Sequence, residues 1–116
     1  MRNLESLIKA MQLLKTVHPQ LRVTQVEFLL TVAMKPDRTQ SELAADCGYT
    51  LAAVSRLVDT LGTSGRRDGK GGVLGLIQTK TSLKDDRILL VSLTDKGKNV
   101  VSLLEQLAYG SQEGRK

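Results

Sequence analysis

A chain of 116 residues has material for one hydrophobic core and none for a second fold. Its 17 Lys and Arg against 12 Asp and Glu leave a net charge of +5, a balance that favours a polyanionic partner such as nucleic acid. Cys47 is the only cysteine and His18 the only histidine, which excludes a disulfide framework or a Cys/His zinc site within one chain and leaves the expected metals and cofactors at none.

The opening MRNLESLIKAMQLLKTVH carries Glu5, Lys9 and Lys15 among its apolar residues, unlike the continuous apolar stretch of a secretory signal. No run approaches the roughly 20 apolar residues of a membrane span. The expectation is a cytoplasmic protein.

Leu4, Leu7, Ile8, Met11 and Leu14 fall at helical spacing and predict a first helix with one apolar stripe, ending near His18-Pro19. Thr24-Gln25-Val26-Glu27 has the form of a capping box and predicts the start of a second helix, with Val26, Leu29, Leu30 and Ala33 as its buried face. Lys35 to Arg38 breaks it. Thr39-Gln40-Ser41-Glu42 is a second capping box, opening a short helix that runs to about Cys47. Gly48 suits its stop, where a positive φ is often required. Thr50 then caps TLAAVSRLVDTL, whose Val54, Leu57, Val58 and Leu61 repeat at i, i+3, i+4 and i+7. Leu51, Ala52, Ser55, Arg56 and Asp59 occupy the other face. Two short helices joined by a tight glycine-containing turn, the second with an outward basic residue, describe a helix-turn-helix over about 39–61.

Beyond the glycine-rich segment 62–75, Leu76 to Thr81 and Arg87 to Leu93 are rich in β-branched and aliphatic residues and predict a hairpin over 76–93. Alternation points Leu89, Val91 and Leu93 to the core and Ile88, Leu90 and Ser92 outward. Thr94 offers an N-cap to a last helix containing Val100, Val101, Leu103, Leu104, Leu107 and Ala108. Its apolar arc is wide enough to bury against two neighbours. The tail 110–116 reads as frayed. The predicted fold class is mainly α with a small β-hairpin wing, α+β: a winged helix-turn-helix occupying 1–109 as a single domain.

At this point the sequence resembles the MarR family of bacterial transcription regulators. Asp85, Arg87, Leu93, Thr94 and Gly97 match that family's wing pattern D-x-R-x5-L-T-x2-G, and Ser41 to Ala44 and Val54 to Leu61 match its paired helices. The resemblance covers roughly Thr24 to Gly97. It implies a homodimer joined through helices at about 3–17 and 94–109, with a recognition helix in the major groove and Arg87, oriented by Asp85, in or beside the minor groove. Two departures stand out. An insertion of about ten residues precedes Gly75-Leu76-Ile77, and Ala52 and Ala53 replace the Ser and Thr often found there.

On this reading the candidate DNA contacts are Thr50, Leu51, Ala52, Ser55 and Arg56 on the second helix of the pair, and Arg66, Arg67, Lys70, Lys80, Lys84 and Arg87 from the insertion through the wing. From Gly62 to Lys84 there are five basic residues against the single acid Asp68, and the glycines let the segment follow a phosphate backbone. Each candidate has a plainer alternative: Thr50 as a cap alone, Arg56 as the i, i+3 partner of Asp59, Arg87 as a turn-stabilising ion pair, and the loop as solvated chain. His18 reads as a helix-end residue and Cys47 as a small core hydrophobe. A phosphate-cradling P-loop around Gly69-Lys70 fails, because Ser64 stands where glycine is needed and Gly71 where Ser or Thr is needed.

The expected function is sequence-specific binding of double-stranded DNA by a homodimeric regulator, with repression as the simplest mechanism. A runner-up is a winged-helix protein-interaction module, a small phage or plasmid accessory factor docking on host machinery through Leu51, Ala52 and Ala53. Catalysis is not expected, since no reaction centre assembles from these residues. Phe28, Tyr49 and Tyr109 are the only aromatics, too few for a base-stacking platform.

Overall fold

Hydroxyl side chains start three of the helices. At the third, Thr39 Oγ1 accepts from the Glu42 N–H at 3.1 Å while the Glu42 carboxylate accepts from the Thr39 N–H at 2.9 Å, so two otherwise orphaned donors are satisfied reciprocally. The computed structural model describes residues 2–19, 21–62 and 74–108. In chain order these form α1 (Arg2–Val17), α2 (Val23–Met34), α3 (Gln40–Cys47), α4 (Leu51–Leu61), β1 (Ile77–Thr81), β2 (Leu89–Leu93) and α5 (Asp95–Ala108). The two strands pair antiparallel, from Ile77 with Leu93 to Thr81 with Leu89. This is the winged helix-turn-helix the sequence predicts. No helix among the described residues is long and apolar enough to cross a membrane.

The core is centred on α2, with Ala10 and Leu14 of α1 and Val100 and Leu104 of α5 closing its edge. Phe28, Leu29 and Val32 of α2, Leu43 of α3, Val54 and Leu61 of α4, Leu76, Ile77 and Val91 are all fully buried. Burial of such side chains stabilises by about 1.5–3 kcal/mol apiece, and here it fixes α3, α4 and the hairpin on α2 as one body. The loop after α2 is tied to the sheet. The Asp37 N–H donates to the Val91 carbonyl at 3.0 Å and the Val91 N–H to the Arg38 carbonyl at 2.8 Å, while Lys35 and Arg38 both approach Asp46 on α3, at 3.5 and 3.7 Å.

The structure corrects the sequence reading at three places. Helix α2 starts before Thr24: Arg22 is the N-cap, and the Gln25 side chain accepts from its N–H at 2.8 Å. Thr24 therefore lies inside the first turn rather than at the cap, and the Glu27 carboxylate instead accepts from the Tyr49 hydroxyl. The buried face of α2 is accordingly Phe28, Leu29 and Val32, with Val26 and Ala33 half-buried and Leu30 exposed. In β2, Leu89 is exposed and Ser92 buried, the reverse of simple alternation. Leu89 sits at the outer end of the hairpin, beyond the core, whereas Ser92 pairs with Gln78 at the inner end, where α5 packs on the strand.

Helix α5 is clamped at its start. Thr94 Oγ1 accepts from the Gly97 N–H at 3.0 Å and donates to the Gly75 carbonyl at 2.6 Å, and Lys96 Nζ reaches the Leu74 carbonyl at 3.0 Å. From there α5 packs on α1, α2 and β2, as its wide apolar arc implies. Among the described residues of α1, Ala10 and Leu14 are buried, while Leu4, Leu7, Ile8 and Met11 stay about half exposed, and Leu7 and Met11 share an apolar cleft with Leu30 and Met34 of α2 and Val101 of α5. The predicted frayed tail 110–116 lies outside the described residues.

Candidate nucleic-acid interface

The turn between α3 and α4 sets the angle of the helix pair. Gly48 takes φ +75°, where a side chain would be strained, and its N–H donates to the Ala44 carbonyl at 2.9 Å. Thr50 then caps α4, its Oγ1 accepting from the Ala53 N–H at 3.1 Å. Between them Tyr49 braces the turn against α2 by donating its hydroxyl to Glu27. That hydrogen bond, ahead of desolvation and the Glu27 charge, pushes the tyrosine up to about 12 from its ordinary 10.0. The folded protein thus prefers the neutral phenol: the brace is intact below the ordinary tyrosine range and lost as pH rises through the raised value.

With Val54 and Leu61 buried and Leu57 and Val58 packed against the core, α4 turns Leu51, Ala52, Ser55, Arg56 and Asp59 outward. Leu51, Ala52 and Ser55 line an open cleft of about 550 Å³ together with Thr39, Gln40 and Ser41 at the start of α3 and Arg87 and Leu89 of the hairpin. Three stretches distant in sequence therefore meet on one surface. Leu51, Ala52, Ser55 and Arg87 are among the contacts expected from the sequence; Thr39, Gln40, Ser41 and Leu89, which are not, line the same cleft. Gln40 and Ser41 stand in the first turn of a capped helix, the feature of the sequence that marks them, while alternation in β2 points Leu89 to the core and the structure exposes it. Arg56 is exposed but lines a second cleft, of about 750 Å³, with Arg22, Gln25, Tyr49 and Thr60.

The wing tip is an ordered turn. The Ser82 N–H donates to the Ile88 carbonyl at 2.8 Å, the Ile88 N–H to the Asp85 carbonyl at 3.0 Å and the Lys84 N–H to Ser82 Oγ at 3.1 Å. Asp85 holds Arg87 in a fork: Nε donates to Oδ1 and Nη2 to Oδ2, both at 3.2 Å, and the Arg87 N–H adds a third bond to Oδ1 at 3.0 Å. The Arg87 side chain nevertheless remains 86% exposed, oriented but available. Hydrogen bonds from the Arg87 side chain, then from its N–H, hold the Asp85 carboxyl below its usual range. The pair is complete above that range and comes apart as pH falls through the lowered value. Lys80 and Lys84 are exposed on the same hairpin. Arg66, Arg67 and Lys70 lie outside the described residues. Among the described residues no group of His, Cys, Asp and Glu is placed to hold a metal ion.

No protein-family model matches the sequence and no curated protein is significantly similar to it; its likeness to known proteins lies in structure. The chain is similar to FabT from Streptococcus pneumoniae in complex with DNA, at 21% identity and a TM-score of 0.61 over 82% of this chain and 59% of that one. It is similar to RV1404 from Mycobacterium tuberculosis at 20% identity and a TM-score of 0.68, over 93% of this chain and 67% of that one. A mutant of MarR from E. coli, complexed with operator DNA, gives 24% identity and a TM-score of 0.58, over 88% and 67%. The chain thus spans about three fifths to two thirds of the length of these structures. It has the MarR-like winged helix-turn-helix fold.

Proposed function

We propose that this chain is a double-stranded DNA-binding transcription regulator of the MarR type, working as a homodimeric repressor on a pseudo-palindromic site. The observation that carries this reading is the single open surface shared by the first turn of α3, the exposed face of α4 and the wing arginine. A helix presented in this way fits the major groove, and a cationic hairpin beside it reaches the adjacent minor groove. In that placement Ser55 and Thr50 offer hydroxyls to bases or phosphates, Leu51 and Ala52 offer methyl groups to thymine, and Arg56 meets a guanine edge or a phosphate. Lys80 and Lys84 neutralise backbone phosphates, and Arg66, Arg67 and Lys70 form a basic arm along them.

A second copy of the chain covers the apolar face of α1, where Leu4, Leu7, Ile8 and Met11 are about half exposed, together with α5. Dimerisation sets two α4 helices about 34 Å apart, one turn of DNA. The regulator occludes its site from polymerase and performs no catalysis, within the cytoplasm where its DNA is found.

An Arg66→Ala, Arg67→Ala double substitution tests the arm. The expected result is weaker binding with a salt dependence shallower by about two phosphate contacts per protomer; unchanged affinity removes the arm from the interface. One observation favours a second reading, docking on another protein: Leu51 and Leu89 are both about half exposed and line the same cleft. Weak, sequence-indifferent DNA binding by the intact chain supports that alternative.

A further inference from the structure

A single exposed leucine is ordinary on a protein surface, but Leu83 is distinguished by its position. It is fully exposed at the apex of the wing, inside the turn closed by the Ser82 to Ile88 hydrogen bond of 2.8 Å. The turn is further braced by the Ser82 hydroxyl and the Asp85 carboxylate, so the leucine is displayed on a defined frame. Exposed Lys80, Lys84 and Arg87 lie in the same hairpin, with exposed Asp86 between the last two, and Ile88 adds a second exposed aliphatic group. A tip that only followed phosphates would gain from another cation at its apex. The apex here is aliphatic.

We propose that Leu83 is an apolar wedge that the wing drives into the DNA minor groove, loosening the stacking of one base step and bending the duplex. The inference rests on the duplex-DNA reading above and adds to it a residue with a distinct job. The minor groove draws in the cations through its negative potential, most strongly where it is narrow. An aliphatic side chain carried between them then meets base edges, and insertion is easiest at a flexible pyrimidine–purine step. The wedge supplies sequence preference through deformability rather than through hydrogen bonds, which suits a recognition helix that presents alanine at Ala52.

The test uses duplexes that the wild-type chain enriches from a random-sequence pool, carrying a fluorescent adenine analogue at successive steps. The expected result is a fluorescence rise at one step, abolished in Leu83→Ala and kept in Leu83→Phe, with binding to the enriched duplex roughly tenfold weaker for Leu83→Ala and binding to unrelated duplex unchanged. Circular dichroism of the variants should match wild type, since the side chain makes no core contact. A rise that survives Leu83→Ala, or binding with no rise at any step, overturns the wedge and leaves the DNA reading standing. Failure of the wild-type chain to enrich any duplex overturns both.

Discussion

Replacing Gly97 with alanine is expected to destabilise the fold by about 3 kcal/mol or more, a large share of a total domain stability of the order of 5–15 kcal/mol. A Cβ at this position would lie 2.0 Å from the Leu76 carbonyl oxygen and 3.0 Å from its carbon, and neither group is the free end of a flexible side chain. Leu76 is fully buried, and its carbonyl accepts from the Thr94 N–H at 3.0 Å. The helix start can therefore move only by breaking the clamp that joins α5 to the approach to β1. Gly48→Ala is the informative comparison: an added Cβ meets nothing within 4 Å, so only the left-handed backbone is penalised, by about 1 kcal/mol. Denaturant melts of the two variants should differ by this margin; equal midpoints would show that α5 has freedom to shift.

Arg87→Ala is expected to cause the largest loss of DNA binding among single substitutions of the described residues, of the order of tenfold per protomer and a hundredfold for a dimer with two wings. Stability should barely change, because the side chain is 86% exposed and surface ion pairs contribute little. Arg87→Lys should recover part of the binding, keeping the charge while losing the planar fork on Asp85. Binding measured by fluorescence anisotropy on an enriched duplex separates these cases. Equal affinity for wild type and Arg87→Ala would assign the Asp85 pair to turn stability alone.

Local punctuation was the most legible layer of this sequence. Thr39 with Glu42, Gly48, Thr50 and Thr94 act through neighbours within a few residues, and each makes the contact that its spacing implies. Spacing alone did not decide between two overlapping starts. Thr24 and Glu27 have capping-box spacing, yet Arg22 and Gln25 provide the bond two residues earlier and the helix starts at Val23, leaving Glu27 to Tyr49, twenty-two residues away. Leu89 and Ser92 failed for a related reason: alternation says which face a residue shares, but not where along the strand the core ends. At the site, residue type picked out Arg87 and Ser55. It did not show that Gln40 and Ser41 share their cleft, a juxtaposition created by packing of α3, α4 and the hairpin.

The central claim is best tested by titrating salt against binding of the full chain to duplexes enriched from a random pool and to unselected duplex, with subunit stoichiometry measured on the same complexes. The account predicts two subunits per site, a steep negative dependence of log affinity on log salt, and a preference for the enriched sequence of about 10³ or more. Equal, weak binding to both duplexes with one subunit per complex would contradict it.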